Sequence, residues 1–395
     1  MIKLIFITLF ILLIIIFTYF KIKYQFWSIQ PVFHIYDLHF WLFPNQIVNP
    51  SLPKINKFVK LTDVETFNIK NCPSKLLTNA CLFIKENYLR SKYAEYLPNE
   101  DDIISYLQTI NNQSFLSIYW DNPITKNEIL ATITARPMYI TFNNNNKTKN
   151  FTVNYIDNLT VKKSLRKNGY APRLIQTHHY HIRHLNLQNN ICLFKREGEM
   201  TAIIPLTTFT TSGYVVNDIL NIKNDIKNDI KKNKIYSTIK IGKSNFSLFK
   251  TCFKEAVAKF NLQVTIEITT LLTLIIENKI IIYCSIFENE IHSFYIYRNT
   301  PSIIDKKYKC MEFICSINNS CYKNDFFYGF LSSLQRLYNK YNIHRIFIEE
   351  TSDNHIITSY LHKFKINPLT TSPTAFFLYN YATYATPSKE CIFLY

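Results

Sequence analysis

Ile156-Asp157-Asn158-Leu159-Thr160-Val161-Lys162-Lys163-Ser164-Leu165-Arg166-Lys167-Asn168-Gly169-Tyr170-Ala171-Pro172-Arg173-Leu174-Ile175 reads as an apolar strand that enters a basic turn and then a helix. From Arg166 to Ala171 the turn has the form Arg-x-x-Gly-x-Ala. Glycine at position 169 lets backbone N–H groups close on a pyrophosphate, and the following helix points its positive end at the same anion. The stretch therefore implies a nucleotide-like cofactor.

The surrounding chain of 395 residues is 47% apolar and 18% charged, enough for a large core in two or three domains or one duplicated unit. Glycine is scarce, with 5 in all, and Ile, Asn, Lys, Tyr and Phe dominate, as an AT-rich coding sequence would produce. The net charge of +17 is spread along the chain, with no basic arm and no RNA-binding aromatic signature. That pattern argues against nucleic acid and for an anionic cofactor beside a lipid surface. The 9 cysteines form no Cys-x-x-Cys pair and fit neither a disulfide framework nor a zinc motif, so free thiols in a reducing compartment are expected. His178, His181 and His184, spaced by three without a carboxylate or cysteine, read as a solvated helical face, and no metal is expected.

Leu4 to Phe20 carry no charge, and such a run reaches the lower limit for spanning the hydrocarbon. Lys21 and Lys23 follow where a cleavage site would need small residues, so residues 1–23 read as an uncleaved, single-pass anchor. Lys54, Lys57 and Lys60 favour a body on the cytosolic side.

Helical spacing runs from Pro73 to Arg90 and again after Asp101-Asp102. Three strand-like runs follow, Phe115–Tyr119, Ile129–Phe142 and Phe151–Val161, with a polar loop at Asn143–Asn150 and a helix from Ala171 to Leu185. A polar, low-complexity run at 221–234 reads as a linker. A similar order then returns: a helix at Ser247–Lys259, strands at Val264–Ile276, Ile280–Phe287 and Ile291–Arg298, a helix at Asp325–Tyr341, and strands at Ile346–Ile348 and Phe376–Tyr381. This layout resembles the Gcn5-related acyltransferase fold, whose acyl-CoA signature is Arg-x-x-Gly-x-Ala. The expected class is α/β (α+β): two tandem acyltransferase-like halves forming one saddle-shaped sheet, preceded by a transmembrane helix. Residues 24–220 would bind acyl-CoA, and 235–395 would hold the peptide and a catalytic carboxyl end.

Tyr24-Gln25-Phe26-Trp27-Ser28-Ile29-Gln30-Pro31-Val32 resembles the Tyr-x-Phe-Trp-x-x-Gln-Pro-Val element of N-myristoyltransferases. Ile133-Thr134-Ala135-Arg136-Pro137 is similar to that family's Ile-Ser-Ala-x-Pro strand, and Phe377-Leu378-Tyr379-Asn380-Tyr381 to its Tyr-Leu-Tyr-Asn-Trp. The stretch from Asp157 to Pro172 resembles its Asn-Phe-Leu-Cys-Val-His-Lys-Lys-Leu-Arg-x-x-x-x-Ala-Pro signature. The resemblance runs from about residue 24 to the carboxyl end.

It implies transfer of a myristoyl or other fatty acyl group from acyl-CoA to the amine of an N-terminal glycine, by a monomer that needs no metal. Backbone N–H groups of Asn158 and Leu159 would form the oxyanion hole. The cofactor would lie against Gln25, Phe26 and Trp27, Leu159 and Val161, and the turn Lys167, Asn168, Gly169, Tyr170 and Ala171. The base would be the terminal carboxylate of Tyr395, made more basic by an apolar tail ending Cys391-Ile392-Phe393-Leu394-Tyr395. Asp157, Thr201 and Tyr88 would face the acceptor.

The departures fall mainly on the acceptor side. Asp157 replaces an asparagine that helps hold the amine, where a second carboxylate would either assist deprotonation or cap the strand, and Met200 replaces the tyrosine before Thr201. Leu89-Arg90-Ser91-Lys92 stands where acidic residues would grip a basic substrate. Lys363-Phe364-Lys365-Ile366-Asn367-Pro368 stands in place of a Lys-Phe-Gly-x-Gly-Asp-Gly signature. Two alternatives follow: an amine acyltransferase that uses another acyl-CoA, or a homologue that binds acyl-CoA or peptide without turnover.

Overall fold

Among the described residues, alternating and continuous apolar runs pair into a sheet of 16 strands in a computed structural model of the chain. The described residues are 2–89, 94–144, 147–186, 190–198, 202–225, 237–288, 290–319 and 322–395. One succession occurs twice along that sheet. In the first half, Phe115–Trp120, Ile129–Asn144 and Lys147–Val161 run antiparallel, the helix Tyr170–Leu185 crosses over, and Cys192–Glu197 returns parallel to Lys147–Val161. In the second, Ile280–Phe287, Glu290–Arg298 and Tyr308–Asn318 are followed by the helix Lys323–Tyr341 and the parallel strand Arg345–Glu349.

The halves interlock. Thr207–Val215 pairs with Arg345–Glu349, and Thr370–Tyr379 lies between Cys192–Glu197 and Thr207–Val215. The tail strand Cys391–Leu394 runs parallel to Leu262–Thr265, which itself pairs with Ile129–Asn144. The last residues of the chain therefore close the sheet beside the first half. The 221–234 linker falls partly in the helix Val216–Asp225, and its remainder lies outside the described residues.

In each half the two parallel strands part after a short pairing, and the two gaps are filled differently. Asn154, Tyr155 and Ile156 pair with Cys192, Leu193 and Phe194, and beyond them the first gap is open. The second is sealed by the loop 351–354. There Thr351 Oγ1 donates to the Ile314 carbonyl (3.0 Å), the Ser316 N–H to Ser352 Oγ (3.1 Å), and the Asn318 N–H to Asp353 Oδ2 (2.7 Å).

Several expectations need correction. The run at Val264–Ile276 is a strand only over Leu262–Thr265; Ile268–Ile276 is a helix. Its buried residues Thr270, Leu271, Leu274 and Ile275 recur at intervals of three and four, and that periodicity outweighs its β-branched composition. The polar loop at Asn143–Asn150 is instead largely the tip of a long hairpin, with Asn143 opposite Thr148 and Phe142 opposite Lys149. Of the three histidines read as a solvated face, only His184 is exposed: His178 is buried, as is its neighbour His179, and the half-buried His181 has its Nδ1 hydrogen-bonded to Thr66 Oγ1 at 2.8 Å.

At the amino end, Ile2–Lys23 is one helix whose described side chains are almost all exposed. Among the described residues no helix is long and apolar enough to cross a membrane. The eight described cysteines are free.

With so few glycines, left-handed backbone falls to other residues. Asn45, Asn158, Asn278, Asn342 and Asn380 all have positive φ, as do Lys167 and, past the helix Asn354–Lys363, Lys365. Asn380 is 1% exposed at φ 67° and ties three segments together. Its Nδ2 donates to the carbonyls of Asn49 (3.0 Å) and Asn190 (3.1 Å), its Oδ1 accepts from the Asn49 N–H (2.7 Å), and its own N–H bonds the Pro31 carbonyl (2.6 Å). Nearby, Tyr379 Oη donates to Gln30 Oε1 at 2.6 Å, joining the Gln-Pro-Val element to the last long strand. Replacing Asn380 with Ala removes three side-chain hydrogen bonds, to backbone groups of the exposed Asn49 and the half-buried Asn190, and is expected to cost about 2–4 kcal/mol in denaturant unfolding. Asn380→Gly, which relieves only the backbone strain, should recover no more than about 1–2 kcal/mol of that loss.

Candidate functional site

The open gap widens into a cavity of about 680 Å³. Residues past the last pairing line it: Asp157, Asn158 and Leu159 on one strand, Lys195 and Glu197 on the other. Register slips between Thr132 and Thr134, so the opposite strand bulges at Asn158, whose φ is 51°. In this state the Asn158 N–H is held by Asp157 Oδ1 at 2.8 Å, and the Asn158 side chain donates to Thr134 Oγ1 at 3.0 Å.

On one side the lining is apolar. Trp27 stacks on Phe194 (5.6 Å, 15°), Phe194 stacks on Phe377 (5.3 Å, 17°), and Ile133, Ile156, Ile175 and Ile182 add to the same wall. Two buried histidines sit in the lining. His178 shares a 2.7 Å hydrogen bond between Nδ1 and Ser117 Oγ, and His179 packs edge-on against Tyr379 at 4.7 Å. Burial pushes both imidazoles down to about 3, so they are neutral.

The other side is ionic. Lys195 Nζ bridges Glu349 at 2.7 Å and Glu197 at 3.1 Å, and Arg298 Nε donates to Glu312 at 2.7 Å. Burial pushes the Glu349 carboxyl above its usual range against the pull of Lys195. Burial acts to lower the Lys195 ammonium, but Glu349, Tyr395, Glu312 and Glu197 hold it well above its ordinary value. Lone charges inside apolar strands were the available signal for this group: Lys195 after Leu193-Phe194, Glu349 after Ile348, Arg298 after Tyr297. Sequence reasoning passed over them because their partners lie far away in the chain.

Of the residues singled out beforehand, Trp27, Tyr88, Asp157, Asn158 and Leu159 line the cavity. Gln25, Phe26, Val161, Lys167, Asn168, Gly169, Tyr170 and Ala171 do not. The turn lies at the amino end of the helix Tyr170–Leu185, whose later residues Ile175, His178, His179 and Ile182 do. Lys167 and Asn168 are exposed there, and Gly169 opens the helix at φ 80°. Arg166 turns away from any anion on that loop and caps another helix, with Nη2 donating to the carbonyls of Asn87 and Tyr88. Thr201 and the stretch 90–92 lie outside the described residues.

Tyr395 is fully buried behind the ionic wall. Its ring lies 4.4 Å from the Arg298 guanidinium and 5.7 Å from the Tyr155 ring, and its phenol donates to Glu349 Oε1. Phe393, two residues before, stacks on Phe376 at 4.0 Å.

No protein-family model and no curated protein matches this sequence. Among solved structures, Saccharomyces cerevisiae N-myristoyltransferase with bound myristoyl-CoA aligns at 16% identity and TM-score 0.71, over 92% of this chain and 94% of that one. A second structure of that enzyme with myristoyl-CoA aligns over 93% and 90% at the same TM-score of 0.71. A third, with myristoyl-CoA and inhibitors, covers 92% and 91%. The chain has the N-myristoyltransferase fold.

The neutral histidines predict an acid dependence. Below their ordinary value of 6.5 the unfolded chain binds protons that the folded chain excludes, so stability falls as the pH drops from about 6.5 toward about 3. Each contributes roughly 1.4 kcal/mol per pH unit within that window. Denaturant unfolding from pH 6.5 to 4.5 should show a shallower slope in His179→Phe than in the parent chain. An equal slope would mean that His179 takes up its proton without unfolding.

Proposed function

We propose that this chain transfers a fatty acyl group from acyl-CoA to the amine of an N-terminal glycine. The observation that carries the reading is the position of the Asn158–Leu159 bulge, in the wall of a cavity that is apolar on one side and ionic on the other. The fold is that of an enzyme whose solved structures hold myristoyl-CoA, which favours a long acyl chain as donor.

In this proposal the acyl chain lies along Trp27, Phe194 and the isoleucines. The pyrophosphate rests on Lys167, Asn168, Gly169, Tyr170 and Ala171, where a helix amino end favours an anion. Gln25, Phe26, Trp27 and Val161 flank the cofactor. The N–H groups of Asn158 and Leu159 receive the thioester oxygen as charge develops on it. Asp157 must then release the Asn158 N–H. The terminal carboxylate of Tyr395 takes the amine proton, for which burial of the whole tail is the support. Tyr88, Thr201 and Asp157 belong to the acceptor side.

A second reading, binding without turnover, has one observation in its favour: the Asn158 N–H is already occupied by Asp157. Release of CoA from myristoyl-CoA in the presence of glycine-starting peptides, with the full chain in mild detergent, separates the two. Turnover is expected, and tight acyl-CoA binding with no CoA released in any peptide would select the second reading. Extending the chain past Tyr395 by two residues should lower kcat by about 100-fold or more while acyl-CoA affinity is kept, the scale of a lost general base. Full activity in the extended chain would remove the terminal carboxylate from the mechanism.

The proposal includes a membrane location, with the body on the cytosolic side. Its support is the exposed apolar surface of Ile2–Lys23, including Phe10, Leu13 and Ile15. The full chain should float with anionic liposomes, and residues 24–395 should float far less. Equal flotation would move the lipid contact elsewhere.

A further inference from the structure

Arg136 occupies the variable position of the Ile133–Pro137 strand segment and is 3% exposed. Its guanidinium lies between two aromatic rings, 4.8 Å from the centre of Tyr106 and 4.9 Å from that of Tyr155, and it lines the cavity. The rings hold the guanidinium in position without satisfying its N–H groups. Nε and Nη1 are buried with no hydrogen-bond partner among the described residues, and Tyr106 Oη beside them is buried and unpartnered too. None of the ion pairs among the described residues includes Arg136. The other two cavity cations, Lys195 and Arg298, both have carboxylate partners.

The Asp157 carboxylate attracts this guanidinium without forming an ion pair with it, but two buried donors without an acceptor are costly, and the forked group matches a carboxylate. Its place along the strand sets what that carboxylate belongs to. Thr134, two residues before Arg136 and on the same face, lies opposite Asp157 and accepts from Asn158. Arg136 is therefore about 7 Å along the strand from the bulge. An extended acceptor whose amine sits at the bulge covers that distance within two or three residues.

We infer that the acyl acceptor carries a carboxylate within its first three residues and that Arg136, with Tyr106, receives it. This rests on the acyl-transfer reading above and names the acceptor's chemistry. The carboxylate is either an acidic side chain near the terminal glycine or the α-carboxylate of a very short acceptor.

Calorimetry on the full chain, with and without a non-hydrolysable thioether analogue of myristoyl-CoA, tests the inference without requiring turnover. Two peptide pairs are titrated: Gly-Asp-Ala-Ala-amide against Gly-Asn-Ala-Ala-amide, and Gly-Ala free acid against Gly-Ala-amide. The carboxylate member of one pair is expected to bind at least tenfold more tightly, and the pair that shows the preference identifies the source. Arg136→Met should abolish that ratio and leave the neutral member's affinity unchanged. Arg136→Met should also raise the melting temperature, since it removes two buried donors without acceptors and keeps the bulk between the rings. Equal affinities within both pairs overturn the inference, as does a ratio that survives in Arg136→Met or a melting temperature that falls. Failure of the thioether to bind would count against acyl transfer alone, because the unliganded titrations still read the preference.

Discussion

Where Asn154, Tyr155 and Ile156 have paired with Cys192, Leu193 and Phe194, the two strands separate, and this loss of pairing inside a continuous sheet is what the remaining architecture accommodates. A sheet that parts exposes backbone groups which must find other partners, so such a gap is either filled or reserved for a ligand. Here the crossing helix Tyr170–Leu185 covers one side, and Thr370–Tyr379 takes over pairing with Cys192–Glu197 from the other half. The gap thus stays open without cutting the sheet in two. Its counterpart in the second half holds Thr351, Ser352 and Asp353 in place of a ligand.

The ionic lining is the energetic counterweight. Glu349 and Lys195 are held deep in the protein by one another and by the Tyr395 phenol. Removing one partner of such a pair costs about 3–5 kcal/mol, whereas an apolar replacement of both is often neutral. Stability alone therefore does not account for these charges. They make a polar wall within a fold whose other surfaces there are aromatic and aliphatic, and they divide the cavity into two chemical environments.

What was legible in the sequence follows from range. Helices with strong periodicity, such as Ser74–Asn87 and Lys323–Tyr341, stand near their expected bounds, and the glycine turn opens a helix as read. Burial of the Cys391–Tyr395 tail was visible in its composition. The helix Ile268–Ile276 was not, because a short apolar segment rich in isoleucine and threonine satisfies both periods until a partner surface selects one. Nor was the ionic wall, since Lys195 and Glu349 are 154 residues apart and only the interlocked strands bring them together. His178 was misread for a related reason. Polar residues on a helix usually face water, but here that face closes over the cavity.

Lys365 stands at φ 58°, directly after Lys363-Phe364, where the resembled family places the first glycine of its glycine-rich signature. Residues other than glycine hold positive φ also at Lys167 and at five asparagines. Each such position stores roughly 1 kcal/mol of strain, less where an asparagine side chain compensates locally. A pattern keyed to glycines therefore does not mark where this backbone turns left-handed. At the exposed Lys365, glycine would relieve that strain without altering a contact in the cavity, whereas at Asn158 and Asn380 it would also remove side-chain hydrogen bonds.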